Sequence, residues 1–162
     1  MEPKNTNIKS LNSLQSIKKK EEDEIKKSLS ISLQNLEKKI EEKKLIEQQQ
    51  NDTKSLIKKA IEDRYNFMQK STFSSEQIKI MNQYEAGLND QLKQLENNFK
   101  LAEEEIRKAE SAVEIIRNQL RKIVNELKSV EMLKEKRIKE IECEKEKKNE
   151  IEFEDIVNAR KA

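Results

Sequence analysis

The chain has 162 residues, of which 41% are Asp, Glu, Lys or Arg and 4% aromatic, with one glycine, one proline and no histidine. This is the composition of long helices that each bury one stripe, and it argues against a thick core or a pocket enclosing a small substrate. The net charge of +2 is evenly spread, with 16 basic and 12 acidic side chains over residues 1–70, 9 and 11 over 71–133, and 9 and 9 over 134–162. No basic stripe for nucleic-acid phosphates results.

Lys18, Lys19 and Lys20 run straight into Glu21, Glu22, Asp23 and Glu24, which reads as a solvated helical face. Cys143 is the only cysteine, so there is no disulfide framework or CxxC pair, and without histidine a thiol nucleophile lacks its usual base. No apolar run is long enough to span a bilayer, and the polar start from Met1 to Asn7 has no signal-peptide core. A cytoplasmic protein without catalytic, metal or cofactor residues is the expectation.

In chain order, residues 1–7 form a polar lead-in containing Pro3, expected to be disordered. Residues 8–70 read as a first helix, with Leu11, Leu14, Ile17, Ile25, Leu29, Leu33, Leu36 and Ile40 at steps of mostly three and four. The stripe thins at Lys43, Glu47 and Gln50, where Ile46 and Thr53 stand one residue off phase, and recovers at Leu56, Ile57, Ile61 and Met68. Residues 71–75 are a bend. Ser74 with Gln77 makes a capping box, and Phe73 with Ile78 a hydrophobic staple, so a new helix starts there.

From Ile78 to Val130 one heptad phase holds without a slip. Its a and d positions are Ile78, Met81, Glu85, Leu88, Leu92, Leu95, Phe99, Ala102, Ile106, Ala109, Val113, Ile116, Leu120, Ile123, Leu127 and Val130, and only Glu85 is polar. Such a seam needs a partner helix. Pairing residues whose numbers sum to 145 or 146 lays it along the first helix, so residues 76–137 pair back on residues 8–70. The fold expected is all-α, a two-helix antiparallel coiled-coil hairpin with a longer second helix.

Residues 138–162 are left as an unpaired overhang of alternating Lys and Glu that ends in Ile151, Phe153, Ile156 and Val157. A disordered tail and a docking tip both fit this end. Tyr65, Phe67, Phe73 and Tyr84 gather around the bend with Met68, Ile80 and Met81, and Phe67, Ile80 and Tyr84 are surplus to a two-helix seam, which points to a contact surface.

This design resembles the stalk proteins of type III secretion, the YscO family of injectisomes and its flagellar counterpart FliJ. The resemblance is carried by Leu11-x-x-Leu14-x-x-Ile17-Lys18 with the acidic cluster after it, by the hairpin bending near Phe73, and by the tail from Glu146 to Ile156 closing on Ala159-Arg160-Lys161. It implies a protein that binds a hexameric secretion ATPase, promotes its assembly and activity, and links it to the membrane export gate and to export chaperones. On that model Leu11, Leu14, Ile17, Ile151, Phe153, Ile156 and Val157 lie at the ATPase end, and Tyr65, Phe67, Met68, Phe73, Ile80 and Tyr84 face the export gate. It further implies a non-enzymatic protein at the cytoplasmic face of the apparatus, monomeric in isolation and peripheral to the membrane only through its partners, without cofactor, nucleic acid or small-molecule substrate. The alternative is a structural coiled-coil tether or homodimeric spacer unrelated to secretion.

Overall fold

The computed structural model describes the backbone of residues 2–70, 72 and 74–161, and their side chains from residue 7 onward. Two helices account for it, α1 (Glu2–Met68) and α2 (Ser75–Lys161), with no strand among the described residues. The chain is a two-helix antiparallel coiled-coil hairpin with the longer helix second. The lead-in expected to be disordered is helical from Glu2. Pro3 does not oppose this, because an N–H in the first turn has no intrahelical acceptor to lose.

α1 stops at Met68, where the Gln69 N–H donates to the Tyr65 carbonyl and the Lys70 N–H to the Phe67 carbonyl, both at 3.2 Å. The second bond spans three residues and tightens the helix end. Ser74 stands outside α2 while its carbonyl accepts the Ile78 N–H at 3.2 Å, which is the N-cap position. The staple expected of Phe73 lies outside the described residues.

All sixteen seam positions of α2 from Ile78 to Val130 are buried or half-buried. The fully buried ones are Leu88, Leu95, Ala109, Val113, Ile123, Leu127 and Val130, with Val113 only 3% exposed. The sequence phase of this helix is therefore its packing phase.

α1 differs from expectation. Apart from Glu21, its buried and half-buried residues are Ile8, Leu11, Gln15, Lys18, Glu22, Ile25, Leu29, Ser32, Leu36, Lys39, Lys43, Ile46, Gln50, Thr53, Ile57, Ala60, Arg64 and Phe67, alternating steps of three and four throughout. Leu14, Ile17, Leu33, Ile40, Leu56, Ile61 and Met68, expected in the stripe, are exposed beside this seam. A strict heptad on α2 demands a strict heptad opposite it. Of the strict rows on α1, the one through Ile25, Leu29, Leu36, Ile46 and Ile57 carries the most apolar residues, and it takes polar residues in with them.

The chain forms two compact units. In the unit Ile31–Glu114, Ile46 and Thr53 prove to be in phase and fill the middle of the seam. Thr53 is buried, and its hydroxyl donates to the Gln49 carbonyl at 2.8 Å, so no polar atom is stranded. Lys43 lays its stem across the seam and sets Nζ 5.1 Å from the centre of the Phe99 ring and 3.8 Å from Glu103, burying methylenes while the charge stays wet. An added methyl on Gly87 would meet nothing within 4 Å. No close approach explains that glycine, which costs the helix about 1 kcal/mol against alanine.

In the unit Met1–Ser30 with Ile115–Ala162, Leu11, Ile25 and Leu29 on α1 and Ile116, Leu120, Ile123, Leu127 and Val130 on α2 are apolar seam residues, all buried or half-buried. Half-buried positions continue on α2 through Lys134, Arg137, Glu140 and Ile141, beyond the expected limit at 137. From Glu142 to Lys161 every α2 residue is exposed except Val157.

Two α2 residues two positions apart test this phase. Val113→Asp places a carboxylate where 3% exposure leaves it dry, and should cost about 3–5 kcal/mol. Ile115→Asp sits at a position 59% exposed and should lie within about 0.5 kcal/mol of wild type. Thermal or urea unfolding followed by circular dichroism separates them; similar losses would mean that Ile115 is covered in solution.

Candidate functional site

Several polar contacts cross the seam among the described residues, and the shortest are the bridges made by Lys18, Lys39 and Arg64. In the unit Met1–Ser30 with Ile115–Ala162, Lys18 donates to Glu126 at 2.9 Å and reaches Glu21 on its own helix at 3.5 Å. In the unit Ile31–Glu114 the same construction recurs: Lys39 donates to Glu105 at 2.9 Å and lies 3.6 Å from Glu42. Lys39 and Glu105 are each three heptads from their counterparts Lys18 and Glu126. One lysine at a seam position thus touches a glutamate on each helix, which fixes the outward rows bearing Glu21 and Glu126, and Glu42 and Glu105, on one side of their units.

The third bridge answers the single polar seam residue of α2. Arg64 Nη1 donates to Glu85 at 2.7 Å and to Asn82 Oδ1 at 2.9 Å, and the Glu85 side chain is only 13% exposed. The numbers of the pairs Lys18–Glu126 and Lys39–Glu105 sum to 144, those of Gln15–Glu131, Lys43–Glu103 and Arg64–Asn82 to 146, and those of Arg64–Glu85 to 149. The register expected from the apolar stripes therefore lies within the range these polar contacts span. The hydrogen bond to Lys39 draws the Glu105 carboxyl below its ordinary pKa, and Lys18 does the same to Glu126. Conversely, Glu126 raises Lys18, Glu105 raises Lys39, and Glu22 raises Lys26 through its i, i+4 pair.

The residues expected at the ATPase end do not form one surface. Leu11 is in the seam, whereas Leu14 and Ile17 are exposed beside it. Leu14 lines a shallow groove with Lys18, Lys122, Asn125, Glu126, Ser129 and Val130. On α2, Phe153 and Ile156 are exposed and Val157 half-buried, and at about 100° per residue the three share one face. Ile151 is also exposed but lies about 200° round the helix from Phe153, on the opposite face.

The bend residues also divide. Phe67 was counted as surplus to the seam, yet it occupies the last seam position of α1, with Lys70 Nζ 6.0 Å from its ring centre. Ile80 and Tyr84, one turn apart, are exposed on α2, and Tyr65 and Met68 are exposed at the end of α1. Phe73 lies outside the described residues. Among the described residues no group of three His, Cys, Asp or Glu is placed to hold a metal, and no helix is long and apolar enough to cross a membrane.

A family model described as YscO-like protein matches residues 8–159, from the first seam residue of α1 to three residues short of the end of the chain. The chain belongs to the YscO-like family. Neither the curated proteins nor the solved structures contain a match. Membership makes this a type III secretion-associated protein of a structural rather than an enzymatic family, and the exposed rows and ends of the YscO-like hairpin are where its contacts must be sought.

The bridges carry two expectations. Glu105 and Glu126 are depressed in the folded state, so their contribution is present above the ordinary glutamate pKa of about 4.3 and is lost as pH falls through the lower folded values. Lys18 and Lys39 are raised, so their contribution is present below the ordinary lysine pKa of about 10.4 and is lost as pH rises through the higher folded values. The melting temperature of a Lys18→Met/Lys39→Met protein should accordingly fall less than that of wild type toward both extremes; parallel profiles would show that the pairs contribute nothing. Separately, Arg64→Met strands the Glu85 carboxylate and should cost about 1–3 kcal/mol in urea unfolding, while adding Glu85→Leu should recover most of the loss.

Proposed function

We propose that this protein is the central coiled-coil stalk of a type III secretion system. In this reading it seats on the hexameric secretion ATPase, promotes its assembly and activity, and connects it to the export gate and to export chaperones at the cytoplasmic face of the apparatus. Membership of the YscO-like family supports the setting. The observation that carries the contact is the end of α2: a highly charged, exposed helix from Glu142 onward that closes on Phe153, Ile156 and Val157 on one face.

Three apolar side chains on an otherwise charged helix gain little by facing water. Buried in a partner, they could contribute roughly 3–6 kcal/mol before the cost of ordering. Leu14 and Ile17 offer an accessory contact, while Leu11 serves by holding the seam. At the bend, Ile80 with Tyr84 and Tyr65 with Met68 are the surfaces this reading turns toward the export gate.

Truncation after Glu150 removes Phe153, Ile156 and Val157 but no seam residue up to Val130. It should leave thermal unfolding of the hairpin almost unchanged while abolishing both binding to the purified cognate ATPase hexamer and its stimulation. Full stimulation by the truncated protein would reduce the tip to a bystander, and the ATPase contact would have to rest on Leu14 and Ile17.

A further inference from the structure

In the unit Ile31–Glu114, α1 carries a second heptad row parallel to its seam. The row reads Lys38, Glu42, Leu45, Gln49, Asp52, Leu56, Lys59 and Asp63, with alternating steps of four and three, and all eight side chains are exposed. Its two leucines are 57% and 46% exposed. Lys39 contacts Glu42 of this row and Glu105 of α2 together, which places the row on a flank of the hairpin, open to the side.

The row is complementary to its own reversal. Read against a second copy running the other way, Lys38 meets Asp63, Glu42 meets Lys59, Leu45 meets Leu56 and Gln49 meets Asp52, each pair of numbers summing to 101. We infer that this row is the seat of an antiparallel, two-fold association between two copies of the chain. Two-fold symmetry makes each contact occur twice, so four ion pairs flank two leucine pairs and no like charges meet along the row. Steps of three and four are also the spacing on which two helices pack together along their length. The alternative parallel stacking sets Lys38 on Lys38 and Glu42 on Glu42, which disfavours it.

The contact spans 26 residues of one helix, about 39 Å, and buries less than a standard protein interface. The association is therefore weak and driven by concentration. Nothing in this inference depends on the ATPase reading.

Sedimentation velocity of the full chain between about 1 and about 500 µM covers the range expected of so small an interface. The mass should rise from 19.2 kDa toward twice that value. Lys38→Glu and Asp63→Lys should each raise the half-association concentration about tenfold, since each turns two surface ion pairs into repulsions. The double variant restores both pairs in swapped order and should return to within about twofold of wild type. Leu45→Glu should abolish association, with circular dichroism verifying that helix content is kept in every variant. A constant mass of 19.2 kDa throughout, single reversals without effect, or a double variant that fails to recover would each overturn the inference.

Discussion

The hairpin depends on one constraint, the unbroken three-four seam of α2. Because no position between Ile78 and Val130 slips, the facing helix has no freedom of phase and must offer its own strict row. That requirement outranks the count of apolar residues on α1. Leu14, Leu33, Ile40 and Ile61 are turned out so that Ile25, Leu29, Leu36 and Ile57 can keep step, and the seam takes in Lys39, Lys43, Gln50 and Arg64 as a consequence.

The polar residues drawn in are those able to live there. A lysine at a seam position buries methylenes against the facing apolar row and carries its charge out to the edge, where a glutamate can meet it. Lys18 and Lys39 do this by one construction, and Arg64 does it for the single carboxylate of the opposite seam. Each exposed pair is weak by itself and screened by salt. Their larger effect is on register, because a shift of one heptad would bring Gln119 or Leu133 to Lys18 and Asn98 or Ala112 to Lys39 in place of their glutamates. The polar contacts specify what the hydrophobic ones merely permit.

This division explains what the sequence disclosed. The α2 seam, the break between the helices and the antiparallel register were all legible, because apolar periodicity and helix-start chemistry are local signals. The phase of α1 was not, because its apolar residues describe a looser stripe than the one that packs; only the demand imposed by α2 selects the right row. The consequences reached the candidate surfaces. Leu11 was grouped with Leu14 and Ile17 though it packs inward, Phe67 was read as surplus though it ends the seam, and Ile151 was joined to Phe153 though they face opposite ways. The bridges at Lys18, Lys39 and Arg64 left a trace that could have been followed: a basic residue in the seam phase with a glutamate near the register sum on the other helix.

A helix whose partner already fixes the fold is free to use its remaining faces. α2 spends its apolar residues on the seam as far as Val130 and recovers exposed ones at its far end, where no packing requirement accounts for Phe153 and Ile156. α1 distributes its apolar residues around the helix, so that the same strand closes the seam and still shows Leu45 and Leu56 between ordered charges on a flank. Such a pattern is not what solubility alone would select, since lysine and glutamate at those two positions would serve better. The leucines stand where a reversed copy of the row brings leucine, and the charges where it brings the opposite charge. Placement of that kind separates a surface organised for contact from one on which apolar residues are merely scattered.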